Sequence, residues 1–125
     1  MIKLAIIGLG KWGQELVKSV NSKSKIVKFT SVISRNPEKI IKETRQLNVV
    51  AFKTFEEMLS EKKIDGFVLC TPHSSHEKQI KNLIKYKKAI FVEKPLALNS
   101  SSAKKIITIC KKNKILLAVG QNRRF

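Results

Sequence analysis

Aspartate is almost absent from this sequence: Asp65 is the only one, and nine acidic residues stand against 26 lysines and arginines. A formal net charge of +17 raises the question of a nucleic-acid partner. Only four of the cations are arginines, the residue best suited to bases and phosphates, and the lysines are dispersed over several predicted helices. We therefore interpret the charge as a solvated surface and expect no specific nucleic-acid function, only weak binding to polyanions at low salt.

Long apolar runs and cysteines are also scarce. No segment approaches the roughly 20 apolar residues of a membrane span, and the short apolar stretch after Met1 lacks the cleavage chemistry of a secretory signal. Cys70 and Cys110 lie in apolar surroundings without C-x-x-C spacing, which is typical of buried reduced thiols. We expect a cytoplasmic protein without a membrane partner. With 125 residues, 42% of them hydrophobic, the chain suits a single domain with its own core.

A glycine-rich turn is the most informative stretch that the sequence does contain. Gly8, Gly10 and Gly13 follow directly on the apolar run 2–7, with Lys11 and Trp12 between the last two glycines. At this spacing one glycine makes a tight turn, one lets backbone approach a pyrophosphate, and one lets a helix pack closely on a strand. The helix N-terminus then offers a site for an anion. Alone the motif is weak evidence, because glycines also punctuate ordinary turns.

Apolar strands and amphipathic helices alternate along the whole chain. Periodicity predicts strands at 2–7, 26–34, 49–52, 64–71, 89–93 and 115–120. Helices are predicted at 11–20, ended by the polar segment 21–24, after Thr54, which has capping-box spacing to Glu57, after His76, and at 100–113. A further helix is predicted from Pro37, with Asn36 as its N-cap and an inner face of Ile40, Ile41, Thr44 and Leu47. This alternation predicts an α/β fold, a Rossmann-type doubly wound parallel sheet in the order 3-2-1-4-5-6.

The polar segments fall where such a sheet binds its ligands. In doubly wound sheets, ligands lie outside the carboxyl ends of the strands, beside the point where the strand order reverses. Four segments reach those ends in this sequence: 8–13, 34–35, 71–76 and 93–95. We therefore expect the candidate chemistry to lie along one edge of the sheet.

The end of the second strand predicts which dinucleotide is bound. An NAD site usually places an acid here for the ribose hydroxyl, whereas an arginine accommodates the 2′-phosphate of NADP. The sequence has Ser34-Arg35-Asn36 and no acid. We expect NADP to be preferred over NAD, with Arg35 on the adenine or the phosphate and Ser34 donating a hydrogen bond. The alternative is that Arg35 is only a solvated residue at a strand end.

Three further motifs accompany the glycine turn and make a family resemblance specific. The chain resembles the N-terminal domain of the glucose-fructose oxidoreductase, inositol dehydrogenase and rhizopine-catabolism (Gfo/Idh/MocA) family of NAD(P)-dependent oxidoreductases. The motifs span nearly the whole chain, and only the first is generic to dinucleotide folds: Gly8-Leu9-Gly10-Lys11-Trp12-Gly13, Thr71-Pro72 with His76, Glu93-Lys94-Pro95, and Gly120-Gln121-Asn122-Arg123-Arg124-Phe125.

The resemblance implies that Lys94 is a catalytic residue beside the nicotinamide. It would orient a substrate hydroxyl and handle a proton while hydride moves, a role that suits an ammonium on a flexible stem. Its alternative is one more surface lysine. Because proline at a sharp turn can hold the cis isomer, we expect a cis Lys94–Pro95 bond. Glu93 and Pro95 belong to the same cofactor-binding segment.

Thr71 and Pro72 are implied to line the nicotinamide and ribose side of the cleft. His76 is implied to be a packing or cofactor-side residue near a helix start, and His73 is a capping or simply exposed histidine. The spacing of these two histidines could suggest a metal, but no cysteine or further histidine accompanies them. We therefore expect no metal site.

Family members continue into a second α/β domain that supplies most substrate contacts and usually the subunit interface, so an oligomer is compatible with the resemblance. We expect residues 1–120 to form the dinucleotide-binding domain and 121–125 to begin the hinge to a domain absent from this sequence. Two functions remain open. One is the cofactor domain of an enzyme acting on a sugar, cyclitol or related polyol; the other is a stand-alone NADP-binding module or subunit without catalysis. The chain alone is expected to be catalytically incomplete.

Overall fold

Strands and helices alternate from Ile2 to Gly120 in the computed structural model, which describes residues 1–121. The strands of this part of the chain are β1 (Ile2–Ile7), β2 (Val27–Ile33), β3 (Val50–Phe52), β4 (Gly66–Leu69), β5 (Ala89–Glu93) and β6 (Leu117–Gly120). All neighbouring strands are parallel, and their order is β3-β2-β1-β4-β5-β6. The predicted doubly wound sheet and its strand order are confirmed.

The helices are α1 (Lys11–Lys23), α2 (Ile41–Leu47), α3 (Phe55–Glu61), α4 (His76–Leu83) and α5 (Ser100–Lys112). The longest have 13 residues, and none within residues 1–121 is long and apolar enough to cross a membrane.

Two apolar cores lie on opposite faces of the sheet and explain why the central strands are so apolar. Alternate residues of β1 divide between them: Ala5 and Ile7 join one core, and Ile6 joins the other. Met58, Ile80 and Ile106 of α3, α4 and α5 pack into the first core, and Val17 of α1 packs into the second. All four residues of β4 are buried, as expected of a parallel strand covered on both faces.

Helix α1 is longer than its sequence predicts. It continues to Lys23, through the polar segment that was expected to end it. Asn21 remains in the helix because its side-chain amide hydrogen-bonds the backbone of β2. Nδ2 donates to the Phe29 carbonyl at 3.0 Å, and Oδ1 accepts from the Phe29 N–H at 2.8 Å. A tertiary contact therefore outweighs the local tendency of asparagine to stop a helix.

The two following helices differ in how well their starts were predicted. Asn36 stands at the N-cap position with Pro37 in the first turn, as predicted, but Pro37–Ile40 forms a 3-10 turn and Asn36 makes no side-chain capping hydrogen bond. Ile41 is exposed rather than on the inner face. In α3, by contrast, Thr54 caps the helix as predicted, with its hydroxyl accepting from the Glu57 N–H at 3.1 Å.

Candidate functional site

The turn between β1 and α1 is held by two glycines that tolerate no side chain. Gly8 has φ +95°, and a Cβ there would lie 2.8 Å from the Cys70 carbonyl carbon. A Cβ on Gly13 would lie 2.3 Å from the Gly8 carbonyl oxygen. A Cβ on Gly10 would meet nothing within 4 Å. The first and third glycines thus close the turn, while the second faces open space at the start of α1.

A cavity of about 420 Å³, the main cavity, opens beside this turn. Gly8 lies on one wall, Ser34 and Arg35 at the end of β2 lie on a second, and Thr71 and Pro72 after β4 lie on a third. Apolar side chains such as Ile33, Ile40 and Phe55 complete the lining. The carboxyl ends of three strands therefore meet in one concave surface, as the strand order predicted.

A second concavity of about 320 Å³, the Lys94 hollow, adjoins the main cavity through Thr71, which lines both. Its other walls are Trp12, Cys70, Glu93 and Lys94. The Lys94–Pro95 peptide bond is cis, which confirms the prediction. The structure thus brings the lysine after β5 next to the tryptophan of the glycine turn.

Other predicted residues stand around these two concavities without lining them. Gly10 and Lys11 are exposed at the start of α1, and Pro95 is exposed after β5. His76 is fully buried, and His73 is exposed. Between residues 1 and 121 there is no group of three or more His, Cys, Asp or Glu side chains that could hold a metal ion. The segment 122–125, which the sequence assigns to a hinge, lies outside the described residues.

Gln79 and Cys70 are among the lining residues that were not anticipated from the sequence. Gln79 lines the main cavity from α4 and accepts a 2.5 Å hydrogen bond from the Thr71 hydroxyl. Its position three residues after His76, one helical turn along α4, is the only signal in the sequence. Cys70 is only partly buried and lines the Lys94 hollow, so the expectation of two buried thiols holds for Cys110 alone. Cys70 directly follows β4, so it lies at the edge of the sheet where the candidate site is.

Burial raises the pKa of the Cys70 thiol to about 12, and the nearby negative charge of Glu93 adds to the shift. The Cys110 pKa is also raised, by burial alone. Both thiols are therefore neutral near pH 7, and Cys70 is a weakly polar wall of the hollow rather than a nucleophile.

Cys70 should be alkylated very slowly in the folded protein. With a pKa of about 12 instead of the ordinary 9.0, its thiolate fraction at pH 8 falls by about a factor of 1,000. Iodoacetamide labelling at pH 8, followed by mass spectrometry, should be correspondingly slower in native protein than in guanidinium. Glu93→Gln removes the smaller cause only and should speed labelling modestly. Equal native and unfolded rates would contradict the prediction.

A parallel sheet in this order, with a glycine turn at the start of its first helix and a cavity at the reversal of strand order, defines a Rossmann-type dinucleotide-binding domain. Residues 2–121 match the Gfo/Idh/MocA family model, whose description is an oxidoreductase family with an NAD-binding Rossmann fold. The chain belongs to this family, and the resemblance drawn from its motifs is confirmed.

Relatives with assigned activities match over almost the whole chain. The 2,7-anhydro-N-acetylneuraminate hydratase of Escherichia coli is 27% identical over 125 residues, covering 100% of this chain and 33% of the relative. The myo-inositol 2-dehydrogenase of Thermotoga maritima is 29% identical over 126 residues, covering 99% of this chain and 37% of the relative. The chain thus spans about a third of the length of these curated relatives.

A solved structure agrees with the fold. The scyllo-inositol dehydrogenase from Lactobacillus casei, determined with bound NAD(H) and scyllo-inositol, has a TM-score of 0.86 and 25% identity. The match covers 100% of this chain and 37% of that one.

Proposed function

We propose that this chain binds NADP(H) in preference to NAD(H) and serves as the cofactor-binding part of an oxidoreductase acting on a sugar, cyclitol or related polyol. The observation that carries the cofactor preference is Arg35, which lines the main cavity beside Ser34 at the end of β2. No acid stands at 34–36 to accept from a ribose hydroxyl. A guanidinium offers the paired donors that a 2′-phosphate accepts.

The shape and the donor chemistry of the site support the proposal of a bound dinucleotide. The open space at Gly10 leaves backbone N–H groups at the start of α1 accessible to a pyrophosphate, an arrangement that needs no cationic side chain. Apolar walls in the main cavity suit an adenine ring, and Thr71 joins this cavity to the Lys94 hollow. Gly10 and Lys11 would lie against the pyrophosphate, and Gly8 and Gly13 would hold the turn that receives it. Trp12, Thr71, Pro72, Glu93 and Pro95 would surround the nicotinamide end.

Lys94 would be the catalytic residue. A bound nicotinamide ring supplies or accepts the hydride in such an enzyme. Lys94 is exposed in the hollow, so its ammonium is free to hydrogen-bond a substrate hydroxyl and to move its proton. The Thermotoga and Lactobacillus relatives are inositol dehydrogenases, which supports a polyhydroxylated substrate. We infer that residues 1–120 form the cofactor domain and that most substrate contacts come from polypeptide beyond it.

Tryptophan fluorescence tests the proposal. Trp12 is the only tryptophan, is 52% exposed and lines the Lys94 hollow, so a bound dinucleotide should quench it. We expect NADPH to bind at least about tenfold more tightly than NADH, the effect of one charged hydrogen bond. Calorimetry on the wild-type protein measures the same affinities without an optical signal and so separates quenching from inner-filter effects. Equal or reversed affinities would overturn the NADP preference, and binding of neither ligand would overturn the cofactor site itself.

A further inference from the structure

His76 is a buried histidine whose two ring nitrogens reach two different loops of the candidate site. Its side chain is fully buried at the first residue of α4. Nδ1 lies 3.0 Å from the Pro95 carbonyl oxygen and 3.2 Å from that of Leu96. Nε2 lies 3.0 Å from the Thr71 carbonyl oxygen. The ring therefore spans the gap between the segment after β4 and the segment after β5.

All three partners are carbonyl oxygens, which only accept hydrogen bonds. A contact is a hydrogen bond only where the facing ring nitrogen carries a proton, and a neutral ring carries a single N–H. The contact with the Lys94 segment thus requires an N–H at Nδ1, which two carbonyl oxygens share. An apolar side chain of similar size would not replace the ring, because it would offer these carbonyl oxygens no donor.

The two segments that His76 contacts each supply a side chain that lines the Lys94 hollow. Thr71, whose carbonyl oxygen lies 3.0 Å from Nε2, lines both the hollow and the main cavity. Pro95, whose carbonyl accepts on the Nδ1 side, directly follows Lys94. The ring itself lines neither concavity, so it acts on the site through these backbone contacts.

We propose that His76 is a positioning residue that sets the Lys94 segment against Thr71 and thereby fixes the width of the nicotinamide end of the site. It contacts neither cofactor nor substrate. This inference rests on the proposed function, since it supposes that a dinucleotide extends from the main cavity into the hollow. Ser34 and Arg35 follow β2 and line another wall of the main cavity, and neither is among the hydrogen-bond partners of the ring.

The test compares a ligand that contains the nicotinamide end, which His76 is proposed to control, with one that lacks it. NADPH occupies both ends of the site, whereas adenosine 2′,5′-bisphosphate carries the 2′-phosphate end and no nicotinamide. We expect His76→Leu to weaken NADPH about tenfold, as for the loss of more than one hydrogen bond, and to leave the bisphosphate within about twofold. His73→Leu, an exposed histidine in the same segment, is the matched control and should change neither ligand.

Each result decides the inference. Equal weakening of both ligands by His76→Leu, or weakening of neither, would overturn it, because a general structural role would not distinguish the two ends. Should His76→Leu fail to fold, His76→Gln keeps one amide donor group and carries the same comparison. Nitrogen-15 spectra of the wild-type ring give a ligand-free readout: a proton on Nδ1 is expected, and an unprotonated Nδ1 would overturn the contact. Failure of wild-type protein to bind either ligand would instead contradict the proposed function.

Discussion

Replacing Gly13 with alanine is expected to lower the free energy of unfolding by about 3 kcal/mol, the range for forcing a methyl group into packed backbone. The new Cβ would lie 2.3 Å from the Gly8 carbonyl oxygen, and neither side of that contact is a flexible side chain. Relief requires α1 to move away from the end of β1. The melting temperature should fall by about 10 °C for a domain of this size.

Gly10→Ala, in contrast, should weaken NADPH binding and leave stability almost unchanged. Nothing lies within 4 Å of its added Cβ, and φ at this position is −69°, which alanine adopts without strain. Stability should therefore change by less than about 1 kcal/mol. The methyl group would, however, occupy the space through which a pyrophosphate reaches the start of α1, so NADPH affinity should fall tenfold or more, about 1.4 kcal/mol.

The two alanine variants test the separate roles of the glycines in one experiment. Thermal unfolding and NADPH titration should be measured on both proteins, with binding of Gly13→Ala measured well below its melting temperature. If Gly10→Ala binds like wild type, the pyrophosphate does not approach this turn. If Gly13→Ala is as stable as wild type, α1 can shift at little cost and the close approach is not required.

Elements that depend on local chemistry were predicted well from the sequence. The strand order follows from alternation and right-handed crossovers, which need only the apolar pattern. Thr54 was predicted as a cap because its partner, the Glu57 N–H, is three residues away. The polar residues after β2 and β4 were expected at one edge of the sheet, and they line one cavity there, because the carboxyl ends of parallel strands share that edge.

Features that depend on distant partners were not predictable in the same way. Asn21 looks like a helix terminator until Phe29, eight residues on, supplies both hydrogen bonds. His76 looks like a cofactor-side or packing residue, and nothing local indicates carbonyl partners 19 and 20 residues later. Cys70 follows an apolar run that predicts burial, yet it stands where the strand meets the site edge. In each case the tertiary structure around the residue decides its role, and local propensity does not.

Arg35→Ala should remove the NADP preference and leave NADPH and NADH with similar affinities. A guanidinium that forks a phosphate contributes about 1.5–3 kcal/mol, so NADPH affinity should fall roughly 10- to 100-fold. NADH lacks the 2′-phosphate, and its affinity should change by less than about threefold. The difference between the two ligands is the informative quantity, because a disturbed cavity would weaken both. Fluorescence titration at fixed ionic strength measures it.

Arg45→Ala is the matched control for Arg35→Ala, since it removes the same charge from an exposed position on α2 away from the main cavity lining. With a net charge of +17, one arginine fewer hardly alters the field that attracts an anion, so Arg45→Ala should leave both affinities unchanged. Arg35→Asp should go further and favour NADH, because a carboxylate repels the phosphate and accepts from a ribose hydroxyl. Equal losses for NADPH and NADH in Arg35→Ala would show that the residue supports the cavity without reading the 2′-phosphate.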